Sequence, residues 1–335
     1  MAISTGAAGA GQGRAVVLNA VLDHLVWLIL AIILIVFSLT IEHFFQIGIF
    51  LNILQHATFV GLIAIGLSFC IIAGHMDLSV ESVMAFAAML AAWLAAARGS
   101  ASGLELDPWL TLALAIAFGA GAGAFNGVLV IRFQINAFIV TLATYIAIRG
   151  CGLVLTGGRS MYGLPGDFRA VATTDLLGVP LLVLILIACY VIFHVILTRT
   201  RFGRYVYLVG GNVMAPFRAG IRVERVLYTV FILSGVLAAI AGWLLAARTN
   251  GATANLGLGM LFEAFAAVVI GGVSLRGGVG RLSGVFAGVL LLSSIDTAIN
   301  VMGLEPYYMQ VIRGGLMLLA VLLDSAKTTI RRRYL

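Results

Sequence analysis

Five ionisable side chains interrupt the long apolar stretches of this chain: Asp77, Glu81, Glu263, Asp296 and Arg313. At membrane depth each costs roughly 2.5–3.5 kcal/mol on insertion scales, so each needs a partner or a purpose. Asp77, in Gly74-His75-Met76-Asp77-Leu78-Ser79, either caps the helix that follows, its carboxylate near the positive end of the dipole, or faces a path for a polar solute. Asp296 and Asn300 are four apart and share a helix face. They either line a polar cavity or close the outer end of their span. Arg313 either neutralises a buried carboxylate or meets the solute. Asn126, Asn136, Thr141 and Thr144 add the uncharged hydrogen-bonding groups that a neutral, hydroxyl-rich solute needs along its way, and hydrogen bonding between helices accounts for them equally well.

None of these groups makes covalent chemistry. The glycine clusters Gly271-Gly272 and Gly277-Gly278-Val279-Gly280 lack the Lys-Ser/Thr that ends a phosphate loop, and the one lysine, Lys327, follows no glycine loop. There is no His-Glu-x-x-His and no Gly-x-Ser-x-Gly, and His24, His43, His56, His75 and His194 show no ligand spacing. An enzyme reading has no residue to stand on, and no metal or cofactor is expected within this polypeptide. Cys70, Cys151 and Cys189 lie in or beside apolar stretches and read as packing residues.

The elements that must position these groups follow from composition. The 335 residues are 62% hydrophobic and 10% charged, against about 25% charged in a soluble domain, with a mean hydropathy of +1.14. A helix of about 20 apolar residues crosses a hydrocarbon core roughly 30 Å thick. The pattern predicts an all-α polytopic membrane protein with about ten spans: 25–41, 56–74, 80–97, 109–131, 137–155, 180–198, 226–247, 260–275, 282–301 and 307–323. Residues 1–24 form an inner lead, 25–323 the membrane domain and 324–335 a basic tail; a cleaved signal peptide is not expected. The eighth span is short and glycine-terminated, as a discontinuous helix is.

The net charge of +7 falls between spans rather than along one stripe, which argues for orientation in a bilayer and against nucleic acid. With the N-terminus inside, fourteen of the 20 Lys and Arg lie in inner segments. Arg98, Arg149, Arg159, Arg169 and Arg248 lie in outer ones, so both termini are expected in the cytoplasm. The two largest connections are an outer loop at 156–179 and an inner loop at 199–225.

The halves repeat. Gly123-Ala-Phe-Asn-Gly127 returns as Gly284-Val-Phe-Ala-Gly288, Arg149-Gly150 as Arg313-Gly314, and Ala85-Phe-Ala-Ala88 as Ala264-Phe-Ala-Ala267, in the same order. Each partner lies five spans downstream, an odd displacement, so the repeat is inverted in the membrane. Inverted repeats are the architecture of transporters with a site at their interface. In the inner loop, Asn212 is a good N-cap and Gly220 a good C-terminal stop, framing a helix of about two turns. Such an element either docks a partner or lies on anionic lipid through its arginines.

At this loop the chain resembles the permease subunit of bacterial ABC sugar importers of the ribose, xylose, arabinose and galactoside type. The likeness is carried also by Asp77-Leu78-Ser79-Val80, Ala137-Phe138-Ile139-Val140-Thr141-Leu142, Ala267-Val268-Val269-Ile270-Gly271-Gly272-Val273-Ser274-Leu275 and Ala320-Val321-Leu322-Leu323-Asp324. The resemblance implies a permease dimer in the bacterial inner membrane, a cytoplasmic ATPase pair that holds the ATP and Mg, and an external sugar-binding protein. It implies that Asn212, Ala215, Pro216, Phe217, Arg218 and Gly220 form the helix that couples to the ATPase; the polar side chains themselves make Asp77, Asn126, Asn136, Thr141, Asp296 and Asn300 the candidates for the solute path. Two places depart from the family pattern: Glu81, where glycine is usual, and Pro216-Phe217, where small or basic residues are common. Proline fits only near a first turn, so this helix starts after Asn212 or is bent. The competing class is an ion-coupled secondary transporter or channel in which Asp77, Glu263 or Asp296 carries protons.

Overall fold

The computed structural model describes residues 25–96, 102, 104–212, 216 and 220–305, together with 308, 310–312, 314, 315, 317, 318 and 322. The inner lead, the tail, Ala215, Phe217, Arg218 and Arg313 therefore lie outside the described residues. Among the described residues these helices are bounded: α1 (Leu25–Thr40), α2 (Ile47–Ile72), α3 (Val80–Ala95), α4 (Pro108–Gly127), α5 (Ala137–Thr156), α6 (Gly166–Thr173), α7 (Leu181–Arg199), α8 (Arg201–Gly211), α9 (Val223–Thr249), α10 (Met260–Ile270) and α11 (Leu282–Val301). The described strands are two-residue pieces: β1 (Met161–Tyr162) pairs antiparallel with β4 (Gly251–Ala252), and β2 (Asp175–Leu176) with β3 (Val179–Pro180).

Local chemistry explains the boundaries. Asp107 accepts from the Trp109 and Leu110 N–H groups at 2.9 and 3.3 Å, with Pro108 opening α4. α4 continues through a π turn at Val128–Arg132. Asn136 caps α5 by accepting from Phe138 N–H at 2.9 Å, and Gly157 closes it in the left-handed conformation.

Among the described residues, six helices are long and apolar enough to cross a membrane alone: α2, α4 with its π turn, α5, α7, α9 and α11. α1, α3 and α10 are shorter apolar helices, and most of the expected tenth span lies outside the described residues. α2 also begins nine residues before its expected start. The polar Asn52, Gln55 and His56 hide its first turns from a hydropathy reading, although the helix runs through them. The two connections expected as loops carry structure: α6 and three strands lie in the first, α8 in the second. Phe168 of α6 is fully buried against Trp243, ring centroids 4.8 Å apart, which draws that connection back onto α9.

α2 and α9 form the centre. α9 packs on α4, α3 and α2, while α2 packs on α9, α11, α10 and α7. Each central helix thus serves the other half of the chain: α9 sits among α3 and α4, α2 among α10 and α11. At one end of the bundle, Gly278 N–H donates to Ile72 O at 2.8 Å and Tyr207 Oη to Gly280 O at 2.7 Å, joining the ends of α2 and α8 to the 274–280 turn beside the arginines. At the other end, Asn250 accepts from Leu164 N–H at 2.9 Å beside the β1–β4 pair. α4, α5 and α7 lie outside, exposing Phe138, Ile139, Ile146, Val154, Val191 and Ile192, the faces that lipid or another membrane subunit covers.

Candidate functional site

The lengths of α3 and α10 decide where polar groups gather. At 1.5 Å per residue, the 16 residues of α3 and the 11 of α10 rise about 24 and 16 Å, short of a core roughly 30 Å thick. Gly74 and the 277 turn meet at the arginine-rich end, since a Cβ on Gly277 would lie 3.1 Å from Gly74 Cα. Glu81, seven residues on, already reaches the start of α10: its Oε2 accepts from Gly259 N–H at 2.9 Å and Leu261 N–H at 3.1 Å. α3 and α10 therefore start at partial depth with their N-termini together, where their open N–H groups and dipoles favour negative charge. The Glu81 side chain, 1% exposed, fills that role and belongs to a wider cluster. Tyr145 Oη donates to Glu81 Oε1 at 3.0 Å, Arg149 Nη1 lies 3.4 Å from the same oxygen and also donates to Tyr145 Oη, and Arg149 Nε and Nη2 reach Ala254 O.

One turn nearer the arginine-rich end lies a second network. Asp77 Oδ1 accepts from the Ser79 N–H at 3.0 Å and its hydroxyl at 2.6 Å, Asn126 Nδ2 donates to Ser79 Oγ at 2.9 Å, and Thr144 Oγ1 donates to Asn126 Oδ1 at 2.7 Å. It links the turn before α3 to α4 and α5. Asp77 Oδ2 and Ser234 Oγ, both buried, have no hydrogen-bond partner among the described residues. Replacing Asn126 with alanine removes two buried bonds. Ser79 and Thr144 keep their other acceptors, so the expected cost stays near the low end of the range, about 2 kcal/mol, read as a lower apparent melting temperature in detergent.

The sequence-named residues separate. Asp77 and Asn126 share this network, with Asp77 at the capping turn that leads into α3. Thr141 is buried but bonds back to Ala137 O at 2.8 Å within its own helix. Asn136 is an exposed cap, and Asn300 is exposed at the end of α11, whereas Asp296, one turn earlier, is buried. In the inner loop, Asn212 is the exposed residue that ends α8. Pro216 is helical and buried, and Gly220 has φ +73° with Ile221 N–H donating to Pro216 O at 3.0 Å, the bond that closes a helix at a left-handed glycine. Arg149, counted with the outer loops, lies inside α5 and pairs with Glu81. The signal was a lone arginine within an apolar span, four residues after a tyrosine. His56, which shows no ligand spacing in the sequence, lies 3.7 Å from Glu263. Only tertiary packing brings those two together.

An apolar helical bundle with broken helices and buried polar networks where they meet defines a polytopic membrane permease. The family described as branched-chain amino acid transport system / permease component matches residues 49–321, and the chain belongs to it. It is 36% identical to the ribose import permease protein RbsC of Bacillus subtilis (strain 168), over 89% of this chain and 91% of that one. It is 35% identical to the L-arabinose transport system permease protein AraH of Escherichia coli (strain K12), over 81% of each. It is likewise 35% identical to the L-arabinose ABC transporter permease protein AraH of Azospirillum brasilense, over 88% of this chain and 85% of that one. No solved structure matches the chain at a significant level. The protein is thus a multi-pass permease of the inner membrane.

Proposed function

We propose that this chain is the membrane-spanning subunit of an ATP-binding-cassette importer for a sugar or related small polyol. Relatives named for ribose and arabinose support the solute class. The observation that carries the transport reading is the meeting of two short helices at Glu81, because a site at the junction of broken helices can open alternately to either side. In this reading the chain crosses ten times as two inverted halves with both termini in the cytoplasm, an assignment supported by the arginine-rich end. The exchange of α2 and α9 between the halves favours it too.

A separate cytoplasmic ATPase, which holds the ATP and Mg, docks on the segment Asn212, Ala215, Pro216, Phe217, Arg218 and Gly220. An external sugar-binding protein delivers solute to the face carrying 156–179, and a second permease, identical or not, completes the path. ATP binding draws the coupling segments together and tilts the halves between two states within a few kcal/mol of each other. Asp77, Asn126, Thr141 and Asp296 border the path from the buried side, and Asn136 and Asn300 flank its two ends. The ion-coupled alternative gains no support from the relatives.

The test is solute uptake into proteoliposomes containing permease, ATPase and binding protein. Uptake is expected to need ATP and to fall about tenfold or more, the equivalent of ~1.4 kcal/mol of coupling, in the double variant Ala215→Asp and Arg218→Glu with melting temperature unchanged. Uptake driven by a pH gradient without the ATPase sinks the proposal.

A further inference from the structure

We infer that His56, Glu263 and Asp296 form a binding site for a divalent transition-metal ion that staples α2 to α10 and α11. One donor atom from each lies within 4.8 Å of the others, although the three residues are far apart in sequence. Glu263 and Asp296 are 2% and 5% exposed, so two carboxylates share a small buried volume. Such a grouping of carboxylate oxygens favours a bound cation.

The donor set is one imidazole nitrogen and two carboxylate oxygens, which suits Zn²⁺, Mn²⁺ or Co²⁺ better than a soft, thiol-seeking ion. Metal–ligand bonds of about 2.0–2.2 Å require the donors to close by about 1 Å, within reach of side-chain torsions. The ring nitrogen His56 Nδ1 is 3.7 Å from Glu263 Oε1 and 3.4 Å from Ser293 Oγ. The serine hydroxyl thus faces the same nitrogen that faces Glu263 and gives way when that nitrogen takes the ion. The His56 side chain is 30% exposed and gives the entry path. The helices that carry the ligands are already in backbone contact: Gly288 of α11 approaches the Ala267 carbonyl, one turn from Glu263 on α10.

The test is independent of transport. The full chain, purified without a histidine tag and treated with EDTA, is titrated with Zn²⁺, Mn²⁺ and Co²⁺. The expected result is one bound ion per chain by elemental analysis, a rise in apparent melting temperature of about 4 °C on saturation, and loss of the ion in Glu263→Gln and Asp296→Asn. With Co²⁺, the visible spectrum of the wild-type protein changes in His56→Gln. If either carboxylate variant fails to fold, the wild-type stoichiometry and Co²⁺ spectrum still decide. Less than about a tenth of an ion per chain with no melting shift overturns the site, as does full retention of the ion in both carboxylate variants.

Discussion

Arg149→Met is expected to destabilise the folded permease by about 3 kcal/mol, the low end of what breaking a buried ion pair costs, because the Arg149 side chain keeps 17% exposure. The loss comes less from the missing attraction than from what stays behind. Glu81 Oε1 retains only Tyr145 Oη, and Ala254 O loses both of its guanidinium donors. Oε2 still receives the N–H groups of Gly259 and Leu261, so the two helix starts stay together and the protein is expected to insert. Glu81→Gln alone leaves the guanidinium facing an amide and costs about 2 kcal/mol. The double variant is expected to cost less than the sum, with an interaction energy of about 1–2 kcal/mol, because each substitution removes the other's stranded charge. Apparent melting temperatures of the four proteins in one detergent measure this cycle. Strict additivity shows that the pair does not couple.

Gly123→Ala carries the second large effect, about 3 kcal/mol, against almost none for Gly121→Ala on the same helix. A Cβ on Gly123 would press on the Phe231 carbonyl oxygen and come within 2.8 Å of Ile232 Cα, whereas one on Gly121 meets nothing within 4 Å. The clash is with backbone, which cannot rotate aside, so α4 and α9 must part along their whole contact. At Gly121 the methyl group faces outward and the better helix propensity of alanine offsets the change. Yield of monodisperse protein and melting temperature distinguish the pair; equal effects at both positions refute the close α4–α9 contact.

Much of the fold is legible in the sequence. Expected spans three to seven and nine match helices to within three residues at each end, because a bilayer rewards unbroken apolar length and local caps such as Asp107 and Asn136 mark the turns. α10, expected over 260–275, stops at Ile270, and its brevity was foreseen from the glycines that follow it. Less legible were α8 and α6. Their amphipathic sequences bury one face and expose the other, so neither has the hydropathy of a span. The buried polar cluster is legible only in part: Asp77 and Asn126 meet as hydrogen-bonding groups, Asn136 and Asn300 stay exposed, and Arg149, counted with the outer loops, lies inside α5.

By itself the sequence determined the solvent: a chain this apolar can satisfy its backbone only as helices in lipid, and its arginines collect at one end. The similar segments of the two halves are likewise a property of the sequence alone, following in the same order at separations of 161 to 179 residues. Only the tertiary structure decided which charges meet. Glu81 joins Arg149 and the start of α10, and His56 joins Glu263 and Asp296, because contacts between helices depend on crossing, depth and rotation about the axis. None of these is encoded in the period of any one helix.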